Sequence, residues 1–195
     1  YKYMAVPPYE VLANNYITYP QLRRLKLIED LTEKYYNSGL YKNVLPRILC
    51  AYPQAFDFFA EFSVFLEERQ LHLQSLSTKS DLKLLLEFLA DKIPENYAEL
   101  VELLRLDAFV AQLGFAADLL DSKIALHNEA LVKFFGNDDN IRKYCPTYRF
   151  INWRQVKKFY PMEIFELGGR ERIFMLDVAQ ARLIEIAKED FYRVI

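Results

Sequence analysis

The stretch TYPQLRRLKLIEDLTEKYYNSG (18–39) constrains the fold more than any other part of the chain, because it marks a helix at both ends and along one side. Thr18 with Gln21 three positions later makes a capping box, and Pro20 is tolerated in a first helical turn. Leu22, Leu25, Ile28, Leu31 and Tyr35 recur three and four positions apart, which lines one helical face. Gly39 supplies the left-handed residue that ends it. The same grammar repeats downstream. A short helix is expected over about 43–51, and a longer one after Pro53 with Phe56, Phe59, Ala60, Phe62, Ser63, Leu66 and Leu73 on its apolar face. STKSDLKLLLEFLADK (77–92) starts at a Thr78 or Ser80 cap. PENYAELVELLRLDAFVAQLG (94–114) runs from Pro94 to Gly114, and a helix capped by Ser122 runs to Gly136. A last short one to Lys143 would be capped by Asp138 or Asp139. With only 5 Gly in 195 residues, breaks are few. The reading is mainly α: an antiparallel array of six or seven helices.

From Pro146 the pattern changes. YRFINWRQVKKFYPMEIFEL and RIFMLDV are rich in aromatic and β-branched residues and flank Gly168-Gly169-Arg170, which predicts a small C-terminal β-hairpin element with a Gly-Gly turn. ARLIEIAKEDFYRVI adds a strand or a final helix. At the other end, Tyr1, Tyr3 and Ala5 alternate with Lys2 and Met4, and Pro7-Pro8 prevents a helix, so 1–12 reads as extended. The expected organisation is a leading segment over 1–17, a helical domain over 18–140 and a β-containing element over 141–195 packed on the helices.

Few chemistries survive inspection. A net charge of -2 offers no global attraction to nucleic acid or anionic membrane. No apolar run approaches the roughly 18 residues of a membrane span, and no leader pattern is present, so a cytoplasmic setting is expected. Cys50 and Cys145 are far apart and read as reduced thiols. With His72 and His127 they are too dispersed to suggest a metal site. No Gly-rich phosphate loop or nucleophile elbow occurs. GNDDN (136–140) lacks the spacing of a calcium loop and reads as helix capping. The acidic residues Glu61, Glu67, Glu68, Asp81, Glu87, Asp91, Glu95, Glu99 and Glu102 read as a solvated helix face. No residue stands out as catalytic, cofactor-binding or metal-ligating.

One cluster stands apart. Arg149, Trp153, Arg154, Lys157, Lys158, Arg170 and Arg172 interleave with Tyr148, Phe150, Phe159 and Tyr160. Cations beside stacking rings suit RNA or single-stranded nucleic acid, and they equally describe a hairpin with one wet face. Arg149, Trp153, Arg154, Lys157 and Lys158 are the candidate contacts to a substrate or another domain. Strand alternation would place Arg154 beside Lys158.

PPYEVLANNYITYPQLRRLKLIEDLTEKYYNSGLYKNVL (7–45) resembles the segment that follows the catalytic barrel in cobalamin-binding radical SAM proteins. The likeness rests on Pro7-Pro8-Tyr9-Glu10-Val11-Leu12, on Leu25, Lys26, Ile28 and Glu29, and on Tyr36-Asn37-Ser38-Gly39. LLRLDAFV (103–110) resembles a recurring Arg-x-Asp helix segment of the same C-terminal domain through Arg105 and Asp107, departing at Ala108, where an aromatic is expected. The resemblance implies a C-terminal domain of unassigned function, with residues 1–17 as the last strand or exit linker of an upstream barrel. It also implies that [4Fe–4S], S-adenosylmethionine and cobalamin belong to upstream radical SAM and cobalamin-binding domains of the same polypeptide. This chain lacks the family's Cys-x-x-x-Cys-x-x-Cys loop, so no cofactor ligand is assigned to it. The expected role is non-catalytic: covering or shaping the barrel's substrate site, since radical intermediates need shielding. The second reading is a stand-alone protein- or RNA-binding module using the aromatic-basic hairpin.

Overall fold

A computed structural model describes residues 2–5, 11–71, 76–114, 120–146 and 153–192, with the backbone alone at 3, 12, 153 and 154. Over these residues the chain is mainly α, with a small antiparallel sheet towards its C-terminus. It divides into two compact units, Tyr1–Pro94 and Glu95–Ile195.

The first unit opens with a two-stranded ribbon. β1 (Lys2–Tyr3) pairs antiparallel with β2 (Val11–Ala13), while Pro7 and Pro8 lie outside the described residues. Asn14 then turns the chain, its side-chain oxygen accepting the N–H groups of Tyr16 at 2.8 Å and Ile17 at 2.9 Å. α1 (Tyr19–Thr32) starts as expected, with the Thr18 N–H donating to Gln21 Oε1 at 2.9 Å. It widens into a π-helical turn over Glu33–Asn37 before Gly39, at φ +70°, ends it. α2 (Val44–Leu49), α3 (Ala55–Glu68) and α4 (Thr78–Lys92) complete the unit.

Its core is aromatic. Phe58, Phe62 and Phe65 of α3 meet Phe88 of α4 with ring centroids 5.8, 4.8 and 5.3 Å away, the spacing at which edge and tilted ring pairs attract. Phe59, Phe62, Ser63 and Leu66 are buried as expected, but the apolar face is broader than the expected one and leaves out Phe56. Phe56 is 52% exposed, whereas Phe58 and Phe65 are buried; Leu73 lies outside the described residues. FDFFAEFSVF carries aromatics in two helical registers, and the row at 58, 62 and 65 faces Phe88. The α4 cap is also displaced: Ser77, not Thr78 or Ser80, accepts the Ser80 N–H at 3.2 Å.

A 3-10 turn (Pro94–Asn96) falls at the boundary, and α5 (Tyr97–Val110) is the first helix of the second unit. Gln112 rather than Gly114 supplies the left-handed residue after α5, at φ +55°, and the Leu113 N–H closes onto Ala108 O at 3.0 Å. A 3-10 turn (Ile124–His127) leads into α6 (Asn128–Gly136), followed by α7 (Asp138–Tyr144). Asn137 caps α7 in place of Asp138 or Asp139, accepting the Asp139 N–H at 2.9 Å. Ser122 caps nothing; its hydroxyl is directed to Glu163.

The segment expected as the first hairpin strand is partly a helix. α8 (Trp153–Phe159) precedes the sheet of β3 (Met162–Leu167), β4 (Arg170–Asp177) and β5 (Arg182–Ile186), ordered β3-β4-β5. Lys157, Lys158 and Phe159 are consecutively exposed between buried Val156 and Tyr160. That burial has a period of four, which alternation along a strand cannot produce. The Gly-Gly turn is as expected: Leu167 pairs with Arg170 across Gly168 and Gly169, both with positive φ. The final segment contains both alternatives, β5 and then α9 (Lys188–Phe191).

Alternation along the strands sends Met162, Ile164, Ile173, Met175 and Ile186 to one core, shared with Phe134, Val156 and Phe191. Phe165 and Phe174 point to the other face, where Leu106 and Phe109 of α5 pack. Glu163 has the parity of Phe165. A charged side chain is thus directed to the sheet face that α5 covers.

Candidate binding site

Five consecutive α5 residues, Leu104 to Ala108, are buried, so two charges in that run must be accommodated inside the unit. Arg105 is 6% exposed. Its Nη1 donates to Glu102 Oε2 at 2.7 Å and to Ile164 O at 3.3 Å, and its guanidinium lies 5.1 Å from the Phe165 ring centre. Nη2 lies 3.3 Å from Glu163 Oε1, within ion-pair distance yet outside hydrogen-bonding geometry, and this buried atom has no hydrogen-bond partner among the described residues.

Glu163 is occupied on both oxygens. Oε2 accepts the Ser122 hydroxyl; Oε1 accepts the backbone N–H groups of Lys123 and Ile124 at 3.0 Å and of Ile164 at 2.9 Å. Glu102 is tied equally closely. It accepts Lys123 Nζ at 3.0 Å and the Glu166 N–H at 2.9 Å besides Arg105. A general base needs a lone pair directed at its substrate, and this network directs its carboxylates inward at α5, β3 and the 122–124 loop. Glu102 and buried Asp81 also leave the acidic face that the sequence suggested was wholly solvated.

Beside the network opens a pocket of about 320 Å³. Arg105, Ser122 and Glu163 form its polar wall, and Phe109, Leu113, Leu120 and Pro161 its apolar one. Lys157 and Lys158, in the last turn of α8, line it from exposed positions. Lys157 also reaches Asn128 Oδ1 at 3.5 Å.

Of the five candidate contacts, Lys157 and Lys158 thus come together at one cavity. Trp153 and Arg154 fall in the first turn of α8 with side chains outside the description, and Arg149 lies outside the described residues. Arg154, Lys157 and Lys158 are spaced three and four apart on a helix, so the strand argument for grouping them is replaced by a helical one. Arg172 is engaged: it grips Glu185 through two bonds of 2.7 and 2.6 Å, which holds that carboxyl below the usual range.

The remaining reactive groups lie elsewhere. Cys145 is a buried free thiol 3.8 Å from Met175 Sδ, pushed up to about 12 by burial and, secondarily, by Asp177. His127 faces the rings of Phe191 and Tyr192, and His72 lies outside the described residues. No group of three His, Cys, Asp or Glu forms a metal site among the described residues, and no helix among them is long and apolar enough to cross a membrane.

The sequence signal for Arg105 was its place as a cation in a buried run, and the Arg-x-Asp likeness singled it out. Its partners carried none: Ser122 and Glu163 are 41 positions apart. Among known proteins, neither a curated protein nor a solved structure matches this chain. A family model described as a protein of unknown function (DUF4080) matches residues 1–174. With that match spanning most of its length, the chain belongs to the DUF4080 family.

Proposed function

We propose that this chain is a non-catalytic accessory domain, of the kind that follows the barrel in cobalamin-dependent radical SAM enzymes, and that it covers or shapes the substrate site of an upstream catalytic barrel. The observation that carries the non-catalytic half is the state of Glu163 and Arg105. Glu163, the one carboxylate among the described residues that line the pocket, is saturated by a hydroxyl, three backbone N–H groups and a guanidinium, a set that favours holding a shape over moving protons. The accessory half is supported by the likeness of residues 7–45 and of Arg105 and Asp107 to that family's C-terminal segment. Two cysteines fall short of the three thiolates that a Cys-x-x-x-Cys-x-x-Cys loop supplies, so the cluster, S-adenosylmethionine and cobalamin are assigned upstream. Free thiols at Cys50 and Cys145 support a reducing, cytoplasmic setting.

The coding sequence upstream of Tyr1 tests the proposal. A Cys-x-x-x-Cys-x-x-Cys motif in the same reading frame, and loss of turnover when this domain is deleted from that polypeptide, are the expected results. A start codon immediately before Tyr1 overturns the accessory role and leaves the stand-alone protein- or RNA-binding module.

A further inference from the structure

We infer that a second cleft, between the Ile124–His127 turn, the start of α6 and the end of α9, binds a small uncharged heteroaromatic ring. The ring stacks in the corner made by His127 and Tyr192, and Glu129 and Lys133 read its edge. This cleft shares no lining residue with the pocket beside Arg105, and the inference does not draw on the accessory role. Its volume of about 400 Å³ lies within the range of small-molecule sites and leaves room for one ring with a short substituent.

The rings set the shape of the ligand. His127 and Tyr192 have centroids 5.7 Å apart and planes at 72°, so together they present a corner. Buried Phe191 backs both, at 6.4 Å from His127 and 4.9 Å from Tyr192. A flat ligand laid on one ring of the corner meets the other edge-on, an arrangement that aromatic groups favour. Histidine and tyrosine are among the side chains on which heteroaromatic bases stack. Leu126 borders the same cleft at 84% exposure and Tyr192 at 37%, so apolar surface gathers around a concavity rather than lying scattered.

The polar groups set its charge. Glu129 and Lys133 lie one turn apart on α6, in the order that ordinarily pairs on a helix. Both are nevertheless exposed and make no side-chain hydrogen bond or ion pair among the described residues. The His127 imidazole has ring contacts alone among them. The cleft thus offers a carboxylate acceptor, an ammonium donor and the imidazole nitrogens. A ligand with a net charge gains from one of the two ions and loses to the other, whereas an uncharged ring edge with a donor beside an acceptor satisfies both. Lys133 is the one lysine or arginine among the lining residues, so a phosphate backbone finds no basic track here. That favours a free small molecule over a nucleic-acid strand.

The probe is 1-methylcytosine, uncharged at neutral pH, and the control is benzyl alcohol, whose ring edge carries no hydrogen-bonding atom. Each is titrated into the 195-residue chain and followed by amide chemical shifts. The probe should move the resonances of Leu126, Glu129 and Tyr192, and the control should bind about tenfold more weakly. Doubly substituting Glu129→Ala and Lys133→Ala should bring the probe down to the level of the control. His127→Ala should weaken both ligands about tenfold by removing one side of the corner. Leu126→Ala, at an exposed position, should also weaken both and leave the thermal unfolding midpoint in place. Equal binding of the control, undiminished probe binding by the double variant, or no shift of cleft resonances at tens of millimolar would each overturn the inference. So would a single-stranded octacytidylate that binds about tenfold more tightly per nucleotide than the probe. These outcomes come from this chain alone, so they are separable from the accessory role, which the upstream reading frame decides.

Discussion

Asp81, 3% exposed in the first turn of α4, meets Lys34 from the π-helical turn. Burial raises its carboxyl above the usual range, and Lys34 acts in the opposite sense. Folded Asp81 therefore holds its proton at pH values where the unfolded chain has released it, so its contribution to stability falls as pH rises through that window. Lys34→Gln raises the carboxyl further. The variant should match the wild type below about pH 4 and lose about 1–2 kcal/mol at neutral pH, less than a fully buried pair because the lysine is partly solvated. Urea unfolding across pH measures this; a pH-independent gap would refute the assignment. The cysteines give a second residue-scale outcome. Exposed Cys50 should react with a thiol reagent in the folded protein, while Cys145, buried and with its thiol raised to about 12, should react only as the chain unfolds. Counting labels by mass before and after denaturant separates them.

At the scale of elements, the hairpin turn depends on backbone conformation alone. Gly168 and Gly169 have φ of +61° and +70°, yet a Cβ at either would meet nothing within 4 Å. Gly168→Ala should therefore cost about 1–2 kcal/mol through its left-handed backbone, and Gly168→Asn distinctly less. Equal losses in urea unfolding would point to packing instead. This turn was legible because its signal is local, as was α1 with Thr18, Gln21 and Gly39. α8 was not. Trp153, Val156, Phe159 and Tyr160 have the composition of a strand, and only the burial of Val156 and Tyr160 four apart identifies a helix. In the same way the sequence reading placed Phe56 on the apolar face, whereas Phe58 is the ring that meets Phe88. The site divides likewise: Lys157 and Lys158 stood out as charges, whereas the Ser122–Glu163 bond joins residues whose neighbourhoods in sequence say nothing of each other.

At the scale of the whole molecule, each compact unit has its own buried aromatic cluster, Phe58, Phe62 and Phe88 in the first, Phe134, Phe135 and Phe191 in the second. Residues 95–195 expressed alone should unfold in one cooperative transition, checked by calorimetry; a broad, non-cooperative melt would show that the division is geometric only. Within that unit, Glu163→Gln removes the charge facing Arg105 and places an amide among N–H donors. It should cost about 2–4 kcal/mol in urea unfolding.

That carboxylate also sets a timetable. Residues 122–124 are held by a side chain that lies 41 positions after Ser122. At about 5–20 residues per second, a ribosome delivers Glu163 roughly 2–8 s after Ser122. During that interval the loop has no anchor and Arg105 lacks one of its two carboxylates, so a nascent chain carries the pocket's polar wall unassembled until β3 emerges.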